Sequence, residues 1–262
     1  MRHEISYAEN RSPMPRVVVI GLASCFGCQI QITNDEPHLL DILSQLDLRY
    51  WQLTSSDPMP EEFDVAIIEG AVTSTQAQEM LKKVREKAGK IITIGACAFT
   101  SGVCGIASKN FDERPAQVYD NTPSICGNVI SPRSVLDEIE VDYVVPGCPI
   151  DPAEFKDVLG RALYGSNRSV ETQTMCGECK KNGSSCFYAE GKLCLGLVTR
   201  SGCGARCVNL GRPCNGCRGI SSQANLESAR EALVRYGVSL DAFNASLELF
   251  NQNNPALHER GK

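Results

Sequence analysis

The sequence predicts an α/β protein: a doubly wound parallel sheet followed by a second, irregular domain. Three observations predict it. Short β-type runs alternate with helical stretches from Arg16 to about Gly165. Several of those runs end in cysteine-bearing loops, and residues 166–220 then carry eight of the chain's 14 cysteines with little periodicity.

The first apolar run, Val17-Val18-Val19-Ile20-Gly21-Leu22, suits a buried strand and ends at the loop holding Cys25 and Cys28. Leu39, Leu40, Ile42 and Leu43 recur at helical spacing, which predicts a helix over roughly Thr33–Leu46. Leu48–Thr54 and Asp64–Glu69 are the next strands, and Thr75–Ala88 is a helix with Gly89 just past its end. Ile91–Gly95 is a buried-type strand running into Ala96-Cys97. Tyr143–Val145 ends at Pro146-Gly147-Cys148-Pro149, and a helix over Pro152–Leu163 follows. Strands alternating with helices imply a parallel sheet covered on both faces. Ligands of such sheets sit outside the carboxyl ends of the strands. Cys25, Cys28, Glu69, Cys97 and Cys148 all fall there. Leu226–Tyr236 and Leu240–Phe250 return to helical patterning near the C-terminus.

The remaining composition is ordinary, with 42% hydrophobic and 22% charged residues. A net charge of −5 argues against a nucleic-acid or anionic-membrane partner. No apolar run approaches the roughly 18–20 residues of a spanning helix. Met1–Arg16 has no apolar leader core, so the expected compartment is the cytoplasm. No Gly-x-Gly-x-x-Gly or Gly-x4-Gly-Lys-Ser/Thr loop supports a nucleotide site.

Dense cysteines in a reducing compartment point to metal rather than to disulfides. The first set is Cys25-x-x-Cys28, Cys97 and Cys148. Four thiolates suit a cubane iron–sulfur cluster or a structural zinc. One close pair with two lone cysteines on separate strand ends favours the cluster. The second set is Cys176-x-x-Cys179, Cys186 and Cys194, and the third is Cys203, Cys207 and Cys214-x-x-Cys217. Their spacing also suits a pair of zinc ribbons. His3, His38 and His258 lie outside the region, so all-cysteine ligation is expected. Cys104 and Cys126 are left over, as small buried or loop thiols. A domain so rich in glycine and cysteine is expected to depend on its metal groups for stability.

These residues resemble a known family. Leu22-Ala-Ser-Cys25-Phe-Gly-Cys28-Gln-Ile-Gln, Ile68-Glu-Gly70, Gly95-Ala-Cys97-Ala and Gly147-Cys148-Pro149 are similar to motifs of the small subunit of [NiFe] hydrogenases. So are Cys194-Leu-Gly-Leu-Val-Thr-Arg-Ser-Gly-Cys203-Gly-Ala-Arg-Cys207 and Gly211-Arg-Pro-Cys214-Asn-Gly-Cys217-Arg-Gly. The match covers roughly residues 16–220 and looks most similar to the delta-type subunit of cytosolic group 3 enzymes, the soluble sulfhydrogenase and NADP-linked type.

The resemblance implies an N-terminal extension over residues 1–15 and a flavodoxin-like domain over 16–165. Residues 166–262 would form an iron–sulfur domain with C-terminal helices. It implies three [4Fe–4S] clusters: proximal on Cys25, Cys28, Cys97 and Cys148, medial on Cys203, Cys207, Cys214 and Cys217, and distal on Cys176, Cys179, Cys186 and Cys194. It places the nickel–iron site on a separate large subunit, so no catalytic residue is expected here. Electrons would pass to a flavin or NAD(P)-binding partner with further iron–sulfur subunits. The alternative is a related complex with deazaflavin, quinone or polysulfide as acceptor. Cys176 stands where respiratory relatives carry a histidine, and Cys207 supplies the fourth medial ligand. Respiratory members place Glu where this chain has Ser24 and Ile30, and a second Pro where it has Ile150. Glu69 matches the family's acidic residue near the proximal cluster. The complex I subunit that carries the terminal cluster shares the fold, but has adjacent cysteines in its first loop and lacks the cysteine-rich second domain.

Overall fold

The computed structural model describes residues 14–113, 117, 119, 128–166 and 172–258. Five parallel strands form the central sheet: β1 (Arg16–Gly21), β2 (Asp47–Trp51), β3 (Val65–Glu69), β5 (Lys90–Ile94) and β7 (Tyr143–Val145), in the order β2-β1-β3-β5-β7. Counted along the chain, this is the 2-1-3-4-5 order of flavodoxin-like sheets, with its switch point between β1 and β3.

Alternation along each strand feeds two apolar layers. Val17, Val19, Ile67, Ile92 and Ile94 face α1 (Gly27–Thr33), α2 (Glu36–Leu43) and α5 (Pro152–Tyr164) through Ile32, Ile42, Phe155 and Leu159. Val18, Ile20, Ala66, Ile68 and Ile91 face α3 (Thr75–Lys87) and α4 (Gly95–Thr100) through Leu81, Val84 and Ala98.

Three departures from the sequence pattern have local causes. The helix expected over Thr33–Leu46 is shorter, running Glu36–Leu43, because Pro37 suits only its first turn. A separate helix, α1, begins at Gly27 in the stretch read as a cysteine-bearing loop and carries Cys28. Cys97 lies in the first turn of α4 rather than in a loop, whereas Glu69 ends β3 as the strand Asp64–Glu69 has it. A short antiparallel pair, β4 (Val72–Ser74) and β6 (Val129–Arg133), has no counterpart in the sequence reading.

The cysteine-rich region holds only short elements before its C-terminal helices: α6 (Cys176–Lys181), α7 (Arg206–Asn209), α8 (Leu226–Arg235), α9 (Leu240–Asn251) and α10 (Pro255–His258). It nevertheless has an apolar core, in which Met175, Leu195, Val198, Leu226, Leu233, Phe243 and Leu247 are all buried. The end of α9 docks on the sheet domain: Thr100 Oγ1 donates to the Phe250 carbonyl at 2.6 Å, and Asn253 Nδ2 donates to the Pro132 carbonyl at 2.6 Å. Among the described residues no helix is long and apolar enough to cross a membrane.

Asp151 begins α5, accepting the N–H groups of Ala153 (3.0 Å) and Glu154 (3.3 Å), and also takes Arg206 Nη2 at 2.5 Å. Asp151→Ala should cost about 0.5–2 kcal/mol in chemical denaturation, and Asp151→Asn, which keeps the cap, much less. Equal losses would put the Arg206 pair, not the cap, in charge.

Candidate metal centres

Parallel register brings the first set together. Gly21 lies opposite Glu69, Glu69 opposite Ile94, and Ile94 opposite Val145. The chain leaves all four positions at one edge and reaches Cys25 and Cys28, Cys97 and Cys148 within a few residues. Lateral hydrogen bonds hold those exits side by side: Leu22 N–H to the Glu69 carbonyl at 2.7 Å and Ala96 N–H to the Gly147 carbonyl at 2.7 Å.

Within this set Cys28 is buried and Cys25 and Cys148 are exposed. The N-cap of α1, Phe26, has no side-chain cap bond. Glu69 takes over from the neighbouring strand, its Oε1 accepting Cys28 N–H at 3.1 Å. Its Oε2 is buried with no hydrogen-bond partner. Cys28 Sγ accepts the Ile150 N–H, and desolvation pushes its thiol pKa far up. Gly95 has φ +85°, and a Cβ there would stand 2.5 Å from Cys28 Sγ, so the sulfur's seat requires glycine. Cys104 is not apart from this set: its thiol lies beside Cys97 and, ahead of burial, raises the Cys97 thiol pKa, while its Sγ donates to the Ala23 carbonyl at 3.6 Å. Cys126 lies outside the described residues.

In the second set, Cys176 feels Cys194, Cys179 and Cys186 electrostatically, and burial pushes it up to about 11. Cys194 is buried and Cys186 exposed. In the third set, Cys203, Cys207, Cys214 and Cys217 line one cavity of about 80 Å³ together with Cys148 and Arg218. Burial raises Cys214 to about 12 and Cys217 to about 11. The Gly216 amide and the Thr199 hydroxyl beside Cys214 Sγ work against that rise.

The three sets are joined. Cys148 lines the third set's cavity and its backbone amide approaches Cys217, which brings the first set up to the third. Cys214 N–H donates to Cys194 Sγ at 3.2 Å, linking the third to the second. Sulfur donors, amide hydrogen bonds to sulfur and a thiol-lined cavity fit polynuclear iron–sulfur groups. Among the described residues, no three His, Cys, Asp or Glu side chains close on a single metal ion; in a cubane each thiolate binds a different iron, so its four ligands stand farther apart than those of one zinc.

Sequence reasoning missed Arg218 and Glu154, which meet in a buried ion pair at the joint between the first and third sets. Only the position of Arg218 beside Cys217 hinted at it, and α5 reads as an ordinary amphipathic helix.

The chain is similar to known proteins along most of its length. Residues 25–162 match the family described as NADH ubiquinone oxidoreductase, 20 Kd subunit. The chain is 32% identical over 217 residues to the sulfhydrogenase 2 subunit delta of Pyrococcus furiosus, covering 82% of this chain and 90% of that one. It is 29% identical over 265 residues to a vhu subunit of the F420-non-reducing hydrogenase of Methanocaldococcus jannaschii, covering 89% and 90%. Among solved structures, a chain of the NAD+-reducing [NiFe]-hydrogenase in the H2-reduced state superposes with a TM-score of 0.55 at 23% identity. That superposition covers 60% of this chain and 94% of the other, a likeness of fold.

A thiol with a raised pKa holds its proton, and ligation must displace it. Protons therefore compete with metal more strongly as pH falls. Metal bound by these sets should be lost to a chelator several-fold faster at pH 6 than at pH 8. A pH-independent half-life would contradict thiolate ligation.

Proposed function

The chain belongs to the family of the NADH ubiquinone oxidoreductase 20 kDa subunit and is the small, electron-transfer subunit of a [NiFe] hydrogenase, an oxidoreductase complex; on that premise we propose that it carries electrons through three [4Fe–4S] clusters. Iron–sulfur groups are the cofactors of such subunits, and a large subunit with the nickel–iron site is the partner. The proximal cluster would sit on Cys25, Cys28, Cys97 and Cys148, the medial on Cys203, Cys207, Cys214 and Cys217, and the distal on Cys176, Cys179, Cys186 and Cys194. The division into residues 16–165 and 166–262 follows the same assignment.

The observation that carries the reading is that Cys148 shares the cavity lined by Cys203, Cys207, Cys214 and Cys217, while Cys214 N–H donates to Cys194 Sγ, an arrangement that supports the sets lying in sequence. Each cluster, when bound, takes up and releases one electron at a time. The protein's own contribution is position and electrostatics. Exposed Cys25 and Cys148 put the first set where a large partner can approach, and exposed Cys186 puts the far end within reach of a second partner. Amide donors to the thiolates would stabilise the more reduced state, and burial would oppose it, so the two together set each potential. The second partner is taken to bind flavin and NAD(P), with its own iron–sulfur groups.

This chain should account for about twelve iron and twelve sulfide per copy, four of each per cubane, in addition to whatever its partners hold. Colourless protein holding zinc would overturn the reading. Cys203→Ser should lose one cluster and slow reduction of the soluble carrier about tenfold or more. H/D exchange at the partner's nickel site should persist. Equal loss of both would assign the cluster to assembly rather than to transfer.

A further inference from the structure

We propose that Arg218 is a positioning residue for the electron step between the first and third thiolate sets: gripped by Glu154, it locks the Cys148 loop against the Cys217 loop. The inference rests on the relay described above.

Arg218 is only 2% exposed and is the largest fully buried side chain among the described residues. Its guanidinium spreads over three segments. Nη1 donates to Glu154 Oε2 at 2.6 Å and Nη2 to Glu154 Oε1 at 2.7 Å, a two-pronged pair. Nη1 also donates to the Pro146 carbonyl at 2.9 Å, and Nε to the Ser201 carbonyl at 2.9 Å. Pro146 is two residues before Cys148, Ser201 is two before Cys203, and Arg218 follows Cys217. One side chain thus fixes the approaches to a thiol of the first set and to two of the third. Cys148, Cys217 and Arg218 line the same cavity, so this grip sits where the two sets meet.

The surroundings are built for the cation. A Cβ on Gly202, whose φ is +117°, would collide with Arg218 Nη2. Gly202 N–H in turn donates to Glu178 Oε1 at 2.8 Å, between the second-set thiols Cys176 and Cys179. Apolar packing would serve stability at such a seam as well as a buried ion pair does, often better. What the planar fork adds is direction, since it accepts partners only in its own plane. The spacing of two redox groups needs that fixity, because electron transfer weakens steeply with distance.

The test uses the assembled complex, reduced so that neighbouring clusters are both paramagnetic, with Arg218→Gln, Arg218→Lys and Glu154→Gln compared with the parent. Iron and sulfide are counted, and the magnetic interaction between the first and third clusters is read by electron paramagnetic resonance. Arg218→Gln should keep its iron yet lose most of the splitting between these two clusters, while the interaction of the third with the second persists. Arg218→Lys, which keeps the charge and loses the fork, should fail to restore it. Glu154→Gln, which leaves one acceptor oxygen, should fall between. Full iron with unchanged splitting in Arg218→Gln overturns the proposal. If that variant fails to load the third cluster, unchanged splitting in Glu154→Gln overturns it equally. A parent protein without iron would instead sink the relay reading.

Discussion

The register of β1, β3, β5 and β7 is the constraint on which the rest depends. Because Gly21, Glu69, Ile94 and Val145 are successive partners across the sheet, the four strands stop at one level. The side chains that follow have nowhere to converge but the edge. Shifting one strand by a single residue would turn its Val and Ile side chains to the wrong layer, so the two apolar layers defend the register. The precision of the first thiolate set is therefore inherited from hydrophobic packing some distance away. Local loop chemistry adds only the finishing contacts, such as Glu69 capping α1 through Cys28 N–H.

The second region borrows that precision instead of generating it. Its apolar core matches either layer of the sheet in size, but most of it comes from the loops and short turns before α8, and its cysteine loops contain little regular structure. Polar contacts seat it on the sheet domain: Arg218 on Glu154, Arg206 on Asp151, and Asn253 against Ser101 and Ser108. Buried polar groups of this kind are costly unless partnered, and every guanidinium nitrogen of Arg218 has a partner. A polar seam is directional where an apolar one is not, which suits an interface whose task is to hold spacing.

The strands were legible because period and β-branched content agree over Val17–Ile20, Val65–Ile68 and Ile91–Ile94, and the helices over Thr75–Lys87 and Pro152–Tyr164 because caps and amphipathicity agree. The helix over Glu36–Leu43 was legible from its run of leucines, whereas α1 is a short segment inside a cysteine-bearing stretch and carries no such run. The β4–β6 pair joins segments more than fifty residues apart, and a three-residue strand such as β4 carries no readable period. Spacing suggests the grouping of the cysteines. It does not suggest their linkage: the cavity Cys148 shares with the third set, the bond Cys214 to Cys194 and the contact of Cys104 with Cys97 are tertiary. Arg218 was hidden for the same reason, since an arginine in a glycine-rich loop reads as solvated until its partner on a distant helix is known.

The central claim is a line of three iron centres in a fixed order, with the third thiolate set in the middle. Anomalous diffraction at the iron edge from crystals of the complex tests it most directly. The account predicts three iron peaks in this chain, the middle one inside the cavity lined by Cys203, Cys207, Cys214 and Cys217 and flanked by Cys148 on one side and Cys194 on the other. Zinc-edge peaks at those positions, or no iron in that cavity, would contradict it.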